Sequence, residues 1–121
     1  MGDFVINNGN LEKYTGLGGE VTVPEGVSVI RNRAFHCCNS LTKVTLPDGV
    51  TEIEGEAFVG CDKMVSISLP STLTVIGICA FADCVALAEI EIPDHVQWIG
   101  GSAFWGCSNL KKAKLPAALR K

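Results

Sequence analysis

The 121-residue chain has no long hydrophobic run, although 47% of its residues are apolar. Without about 18 consecutive apolar residues, it is not expected to contain a membrane-spanning helix. Its first residues lack the basic and hydrophobic regions of a signal peptide, so none is predicted in this chain. An excess of positive charge is also missing, because 10 Lys and Arg residues face 13 Asp and Glu residues. The composition therefore indicates one folded domain that binds no nucleic acid.

Residues that perform catalysis or bind metals are scarce. The two histidines, His36 and His95, stand in unrelated parts of the sequence and do not supply a nucleophile with a base and an orienting group. No Cys-x-x-Cys pair occurs, and four of the six cysteines are spaced evenly along the chain, whereas structural zinc needs a tetrahedron of ligands. We therefore predict no enzyme activity, no metal site and no cofactor.

The features that are present recur at one interval. The chain has five prolines, and each follows the previous one by 23 residues. Four Ala-Phe pairs, four cysteines and four isoleucines keep the same interval, which indicates an internal repeat. These positions are Pro24, Pro47, Pro70, Pro93 and Pro116; Phe35, Phe58, Phe81 and Phe104; Cys38, Cys61, Cys84 and Cys107; and Ile30, Ile53, Ile76 and Ile99.

A unit of 23 residues cannot bury its own apolar side chains, so successive units are expected to stack as a solenoid. Polar and apolar residues alternate in five segments, at residues 20–23, 43–46, 66–69, 89–92 and 112–115. They predict one five-stranded parallel sheet with strands about 4.8 Å apart. Residues 50–53 and their equivalents predict a second, shorter strand. The Ala-Phe-x-x-Cys segments predict a single helical or 3-10 turn.

The repeat pattern Leu-x-x-Ile-x-Ile-Pro-x-x-Val-x-x-Ile-x-x-x-Ala-Phe-x-x-Cys, seen almost completely in residues 87–107, resembles the BspA-like leucine-rich repeats of bacterial surface proteins. The resemblance covers about residues 18–119. It implies a right-handed β/α superhelix of the leucine-rich-repeat type, with a parallel β-sheet on one face and short strands or 3-10 turns on the other. It also implies a secreted or surface-attached protein, often linked with adhesion, without catalytic residues. The chain lacks the asparagine of the general leucine-rich consensus.

The repeat boundaries predict the organisation of the chain. Asn8-Gly9, between two apolar segments, predicts a β-hairpin with a primed turn. We expect residues 1–17 to form an N-terminal capping hairpin over residues 18–121, a solenoid of four full repeats and a partial fifth. At the other end, Leu119 and the final strand edge are expected to be exposed.

The cysteines are expected to be free thiols. Cys38 and its three equivalents form one column of small buried groups, and side chains in register point the same way, which opposes disulfide geometry. Cys37 and Cys79 belong to other columns, which also hold glycine and charged residues and are expected to face solvent.

Charged and aromatic residues on the expected exterior form a candidate interaction surface. Glu89 and Glu91 are predicted to lie beside Lys112 and Lys114 on adjacent strands, either as a solvated face or as a charged binding stripe. The second group is Trp98 and Trp105, whose columns also accept Glu52 and His36 and therefore face solvent at least in part.

Two hypotheses for function follow. The first is a non-catalytic interaction module that binds an unidentified protein or surface ligand and is part of a bacterial surface or secreted adhesion-type protein. The second is a purely structural spacer within a longer array of repeats. An apolar or aromatic patch outside the core columns favours binding, whereas an evenly polar exterior favours the spacer. Self-association through the C-terminal end, aided by the two tryptophans, is a further expectation.

Overall fold

The computed structural model describes residues 3–116, which wind into stacked coils with a 23-residue period. Each coil has a strand of three to five residues, a proline-containing turn, a two-residue strand and a second turn. The strands are β1 Phe4–Asn7, β2 Asn10–Tyr14, β3 Gly19–Thr22, β4 Val29–Ile30, β5 Leu41–Thr45, β6 Glu52–Ile53, β7 Ser66–Ser68, β8 Val75–Ile76, β9 Glu89–Glu91, β10 Trp98–Ile99 and β11 Lys112–Lys114. The predicted solenoid and its second set of short strands are therefore present.

The four two-residue strands join β1 and β2 in one continuous sheet of six strands, in the order β1-β2-β4-β6-β8-β10. Strands β2 to β10 of this sheet are parallel, and Val29 lies opposite Glu52, which lies opposite Val75. Equivalent residues of neighbouring repeats are thus direct partners, and the 23-residue columns of the sequence are physical columns in the fold.

The core consists of these columns. Phe35, Phe58 and Phe81 have no solvent exposure, and their rings stack nearly parallel at centroid distances of 4.7 and 5.3 Å. Phe104 continues the stack at 5.5 Å, as the repeat pattern predicts. Within residues 3–116 the buried side chains are apolar or cysteine, so burial of apolar surface is the main stabilising contribution.

The Ala-Phe-x-x-Cys segments form hydrogen-bonded turns and not helices, so the predicted helical or 3-10 turn is not confirmed. Residues 3–116 contain neither an α-helix nor a 3-10 segment, and the α part of the expected β/α superhelix is absent from them. The cause is left-handed backbone at two positions of each coil, for example Arg33 (φ 62°) and Cys37 (φ 54°). Positive φ interrupts a right-handed helix. The chain instead alternates turn bonds with bonds to the next coil, such as Phe35 N–H to Ala57 C=O at 2.8 Å.

The predicted five-stranded sheet is divided in two. β3, β5 and β7 form a three-stranded parallel sheet, and β9 pairs with β11, but within the described part of the chain no ladder joins β7 to β9. The predicted strand positions are therefore right, and their continuous pairing is wrong.

The first coil is preceded by a hairpin. β1 and β2 are antiparallel, and Asn8 (φ 52°) and Gly9 (φ 81°) form their turn. The Gly9 carbonyl accepts the N–H of Ser28 at 2.7 Å, and Tyr14 stacks on Phe35 at 5.2 Å. The hairpin is thus joined to the first coil both through the sheet and through the aromatic stack.

Candidate functional site

The division of the sheet coincides with a groove of about 600 Å³, which we call the strand-face groove. Its walls are the facing strands β7 and β9, and its edges come from the coils on either side. It is lined by Lys43, Ser66, Ile67, Ser68, Leu69, Ser71, Glu89, Ile90, Glu91, Ile92, Pro93, Asp94, His95 and Lys114. The lining of the groove is therefore chemically mixed, with apolar residues such as Ile67 and Ile90 beside hydroxyl and charged groups.

The missing ladder explains why the groove exists at this place. In neighbouring coils the N–H of Leu46 donates to Ser68 C=O at 3.1 Å, and the N–H of Ile92 donates to Lys114 C=O at 3.0 Å. The equivalent bond from Leu69 to Glu91 is absent from the described structure. Leu69 is only half-buried, whereas Leu46 and Ile92 of the same core column are buried. The coils are thus less closely joined here than elsewhere on this face.

The charged residues of the candidate surface lie where the sequence predicts. Lys112 is the register partner of Glu89, and Lys114 is the partner of Glu91. The Lys114 Nζ atom lies 3.7 Å from the Glu91 Oε2 atom, with both side chains largely exposed. An exposed pair at this distance adds little stability. Glu89, Glu91 and Lys114 line the strand-face groove, and Lys112 is not among its lining residues.

The structure does not bring the tryptophans into this groove. Trp98 lies in β10, in the six-stranded sheet opposite Val75, and its residue surface is 42% exposed. Trp105 lies in the second turn of the same coil and is 66% exposed. The six candidate residues therefore divide between two surfaces.

Sequence reasoning missed several residues of the groove. Lys43, Ser66 and Ser68 occupy the same outward columns as Glu89 and Glu91, and this shared position was the available signal. His95, expected to be a turn residue, is an exposed turn residue that also lines the groove.

Core residues of the last described coil are more exposed than their equivalents. Ile99, Phe104 and Cys107 are half-buried, whereas the matching residues two coils earlier have no exposure, and Leu115 is 58% exposed. Leu119, which the sequence analysis places at this end, lies outside the described residues.

The cysteine column is a ladder of thiol donors. All six cysteines are free. Three Sγ atoms of the column donate to a carbonyl of the preceding coil: Cys61 to Phe35 C=O at 3.0 Å, Cys84 to Phe58 C=O at 3.2 Å and Cys107 to Phe81 C=O at 3.0 Å. The hydrogen bond with the Cys84 thiol, together with burial, raises the pKa of Cys61. Burial, followed by the nearby Cys84, raises the pKa of Cys107 to about 11. The thiols of Cys61 and Cys107 are therefore protonated and poorly nucleophilic at neutral pH.

The exposed Cys37 lies beside His36 but is not part of a metal-binding cluster among residues 3–116. The His36 Nε2 atom lies 3.6 Å from the Cys37 Sγ atom, and both side chains are exposed. Over residues 3–116, no group of three or more His, Cys, Asp or Glu side chains is arranged to hold a metal ion.

A family profile described as "BspA type Leucine rich repeat region (6 copies)" matches residues 13–121. The chain belongs to the BspA-type leucine-rich-repeat family. This membership agrees with the structure, because the apolar residues that recur in the repeat are the ones that the coils bury. No curated protein matches the chain in sequence.

Several solved structures of leucine-rich-repeat proteins are similar to this fold. A leucine rich cell surface protein from Faecalibacterium prausnitzii is 31% identical, with a TM-score of 0.85, and the match covers 91% of this chain and 30% of that one. A leucine-rich repeat protein from Bacteroides capillosus is 26% identical, with a TM-score of 0.78, over 99% of this chain and 100% of that one. The leucine-rich repeat protein of T. pallidum is 27% identical, with a TM-score of 0.65, over 89% of this chain and 75% of that one.

The chain thus spans about a third of the length of the F. prausnitzii protein. Among the described residues there is no helix of the length and hydrophobicity needed to cross a membrane.

Proposed function

We propose that this BspA-type solenoid is a non-catalytic protein-interaction module of a bacterial surface or secreted protein of the adhesion type. The observation that carries the proposal is the strand-face groove, a recess of about 600 Å³ in an otherwise closely stacked solenoid. Binding surfaces are commonly concave and combine apolar walls with a few polar groups. The proposed location outside the cell is supported by the similarity to the F. prausnitzii cell surface protein.

The exterior also carries aromatic residues, which favours binding over a spacer role. Trp98 and Trp105 stand outside the core columns and are 42% and 66% exposed. Exposed aromatic side chains are enriched at protein interfaces. A spacer needs neither such residues nor a recess.

Beads coated with the chain test this function. We expect wild-type beads to adhere to cultured epithelial monolayers in greater number than beads coated with Ser68→Trp. Ser68 is exposed in β7, so a Trp ring there would fill the groove without entering the core. Thr22→Trp is the matched control, because Thr22 is also exposed, on β3, and lies outside the strand-face groove.

Equal adherence of the wild type and both variants would show that the strand-face groove does not take part in adherence. Adherence no greater than that of albumin-coated beads would favour the structural spacer instead.

The two ends of the solenoid carry two further proposals. We infer that residues 1–17 cap the solenoid formed by residues 18–121, because the hairpin covers one end of the aromatic stack. Self-association through the opposite end would involve Trp98, Trp105 and Leu115, which are exposed in or beyond the last full coil. Sedimentation of the wild type beside a Trp98→Ser/Trp105→Ser variant tests this second proposal. A wild type that stays monomeric at high concentration would contradict it.

A further inference from the structure

The opening between β7 and β9 is local. The same two coils are joined through β8 and β10, and through turn bonds such as Phe81 N–H to Ala103 C=O at 2.8 Å. At the near end of the groove, the N–H of Ala88 donates to Val65 C=O at 3.3 Å. The peptide groups of β7 and β9 therefore do not bond to each other over about one strand length, although the two coils are joined on either side of this segment.

Hydrogen-bond acceptors are concentrated along this opening. Glu89 and Glu91 extend from the β9 wall, and Ile67 of β7 and Ile90 of β9 also line the opening. Ser66 and Ser68 extend from the opposite wall, and their hydroxyls both accept and donate. Glu89 forms no ion pair among the described residues, although Lys112 is its register partner. The centre of the groove thus carries negative charge that its own neighbours do not neutralise closely.

The two lysines of the groove lie at its edges. Lys114 is held near Glu91, on the far side from β7, and Lys43 belongs to β5, one strand beyond Ser66. The charge order across the face is therefore positive, neutral, negative and positive. A ligand that fits this order places its own positive charge at Glu89 and Glu91.

We propose that the strand-face groove binds an extended segment of a partner protein through an arginine side chain of that segment, seated between the carboxylates of Glu89 and Glu91 and the Ser66–Ser68 wall. The guanidinium group offers five N–H donors and no acceptor, which matches a site that presents the carboxylates of Glu89 and Glu91 and the hydroxyl oxygens of two serines. An extended backbone lets alternate side chains point to one side, and Glu89 and Glu91 are likewise two residues apart. The proposal rests on the proposed function, since it names the partner chemistry of the same groove.

Short synthetic peptides test the chemistry directly. The probe is an acetylated and amidated Thr-Arg-Thr-Arg-Thr peptide, titrated into the ¹⁵N-labelled full chain and followed by amide chemical shifts. We expect saturable shifts at β7 and β9 and none at β1. A peptide with Gln in place of both Arg residues should produce no saturable shift, and a Glu-containing peptide should also fail.

A charge-matched pair of variants separates the site from general attraction. Glu89→Gln/Glu91→Gln should weaken binding of the Arg peptide about tenfold or more, since it removes the charge-assisted hydrogen bonds. Glu20→Gln/Glu25→Gln removes the same charge from exposed positions outside the groove and should leave binding within about twofold. The amide spectra of both variants should match the wild type elsewhere, which checks their folding.

Three results would overturn the inference: no saturable shift, shifts away from β7 and β9, or equal weakening by both double variants. The bead assay distinguishes this failure from that of the proposed function. Groove-dependent adherence without Arg-peptide binding leaves the interaction module in place and rejects the arginine. Arg-peptide binding at the groove without adherence supports the arginine site and rejects the adhesion role.

Discussion

Replacing Phe58 by Ala would remove the central ring of the aromatic stack. Phe58 has no solvent exposure, and its centroid lies 4.7 Å from that of Phe35 and 5.3 Å from that of Phe81. Truncating a buried Phe to Ala costs about 3–5 kcal/mol, and each aromatic pair contributes about 0.5–1.5 kcal/mol beyond its buried area. Because two such pairs are lost, we expect the free energy of unfolding to fall by about 4–5 kcal/mol.

Phe104 provides an internal comparison. It is half-buried and stacks on one neighbour in the described structure, Phe81, at 5.5 Å. In a solenoid each coil interacts with its neighbours, so a central substitution weakens two interfaces and a terminal one weakens a single interface. We therefore expect Phe104→Ala to cost about half as much, roughly 2–3 kcal/mol.

Urea unfolding, followed by tryptophan fluorescence and by circular dichroism, measures both effects. With an m value of about 2 kcal/mol per molar, Phe58→Ala should lower the midpoint by about 2 M and Phe104→Ala by about 1 M. Phe58→Leu keeps most of the volume and should cost about 1–2 kcal/mol. Equal midpoint shifts for the two alanine variants would refute the argument from neighbouring coils, as would a Phe58→Ala shift within the error of the measurement.

The remaining predictions concern the thiols and the hairpin. In a thiol-labelling time course on folded protein, Cys37 should react first, while Cys61 and Cys84 react only on unfolding, since they have no exposure; early labelling of Cys61 would contradict the buried column. The pKa of Cys107 is raised from 9.0 to about 11, so the stability that its protonated thiol contributes is complete below pH 9 and is lost as the pH rises to 11. The urea midpoint should accordingly fall over this window, and less so in Cys107→Ala. Deleting residues 1–15 removes the Tyr14 ring from the stack and should lower the thermal midpoint or cause aggregation; an unchanged melting curve would show that the hairpin is not a cap.

Most of the fold follows from the 23-residue columns. Residues such as Phe35 and Phe58 recur at one position of the repeat, and stacking equivalent positions is the arrangement that buries all of them. The strand register then follows without further information, because Lys112 must lie beside Glu89 if Phe104 lies beside Phe81. Long-range contacts are thus predictable when a sequence repeats itself.

The turn segments were harder to predict, although a weak signal was present. Helical spacing in Ala-Phe-x-x-Cys suggests a helical turn, but the residue before the Ala and the residue before the Cys both adopt positive φ, as Arg33 and Cys37 do. In the column of Cys37 (φ 54°), the equivalent residues include Gly60 and Gly106, also with positive φ. Glycine recurring in a column indicates left-handed backbone. The non-glycine residues in that column conceal the signal in any single repeat.

The break between β7 and β9 in the predicted five-stranded sheet has no counterpart in the repeat pattern of the sequence. The repeated columns of the sequence indicate which side chains are buried. The ladder bonds between β7 and β9 depend instead on the distance between the two backbones, and outward residues such as Ser68 and Glu91 do not determine that distance. A periodic sequence predicts equal coils, so any inequality between coils escapes an argument from periodicity. In the core, the separation of β7 from β9 is visible at Leu69. This residue is half-buried, whereas Leu46 and Ile92 of the same column are buried.

The same inequality is the reason to look for function between β7 and β9. Where neighbouring strands of this face pair, as β3, β5 and β7 do, their backbone groups bond to one another and the face offers mainly exposed side chains. Between these two strands, peptide groups, two carboxylates and a partly exposed leucine are available together. A binding surface needs groups that folding has not already paired. In this solenoid the described strand face provides such groups at the break in its sheet, and the arginine peptide is therefore directed at that break rather than at the continuous ladder on the opposite side.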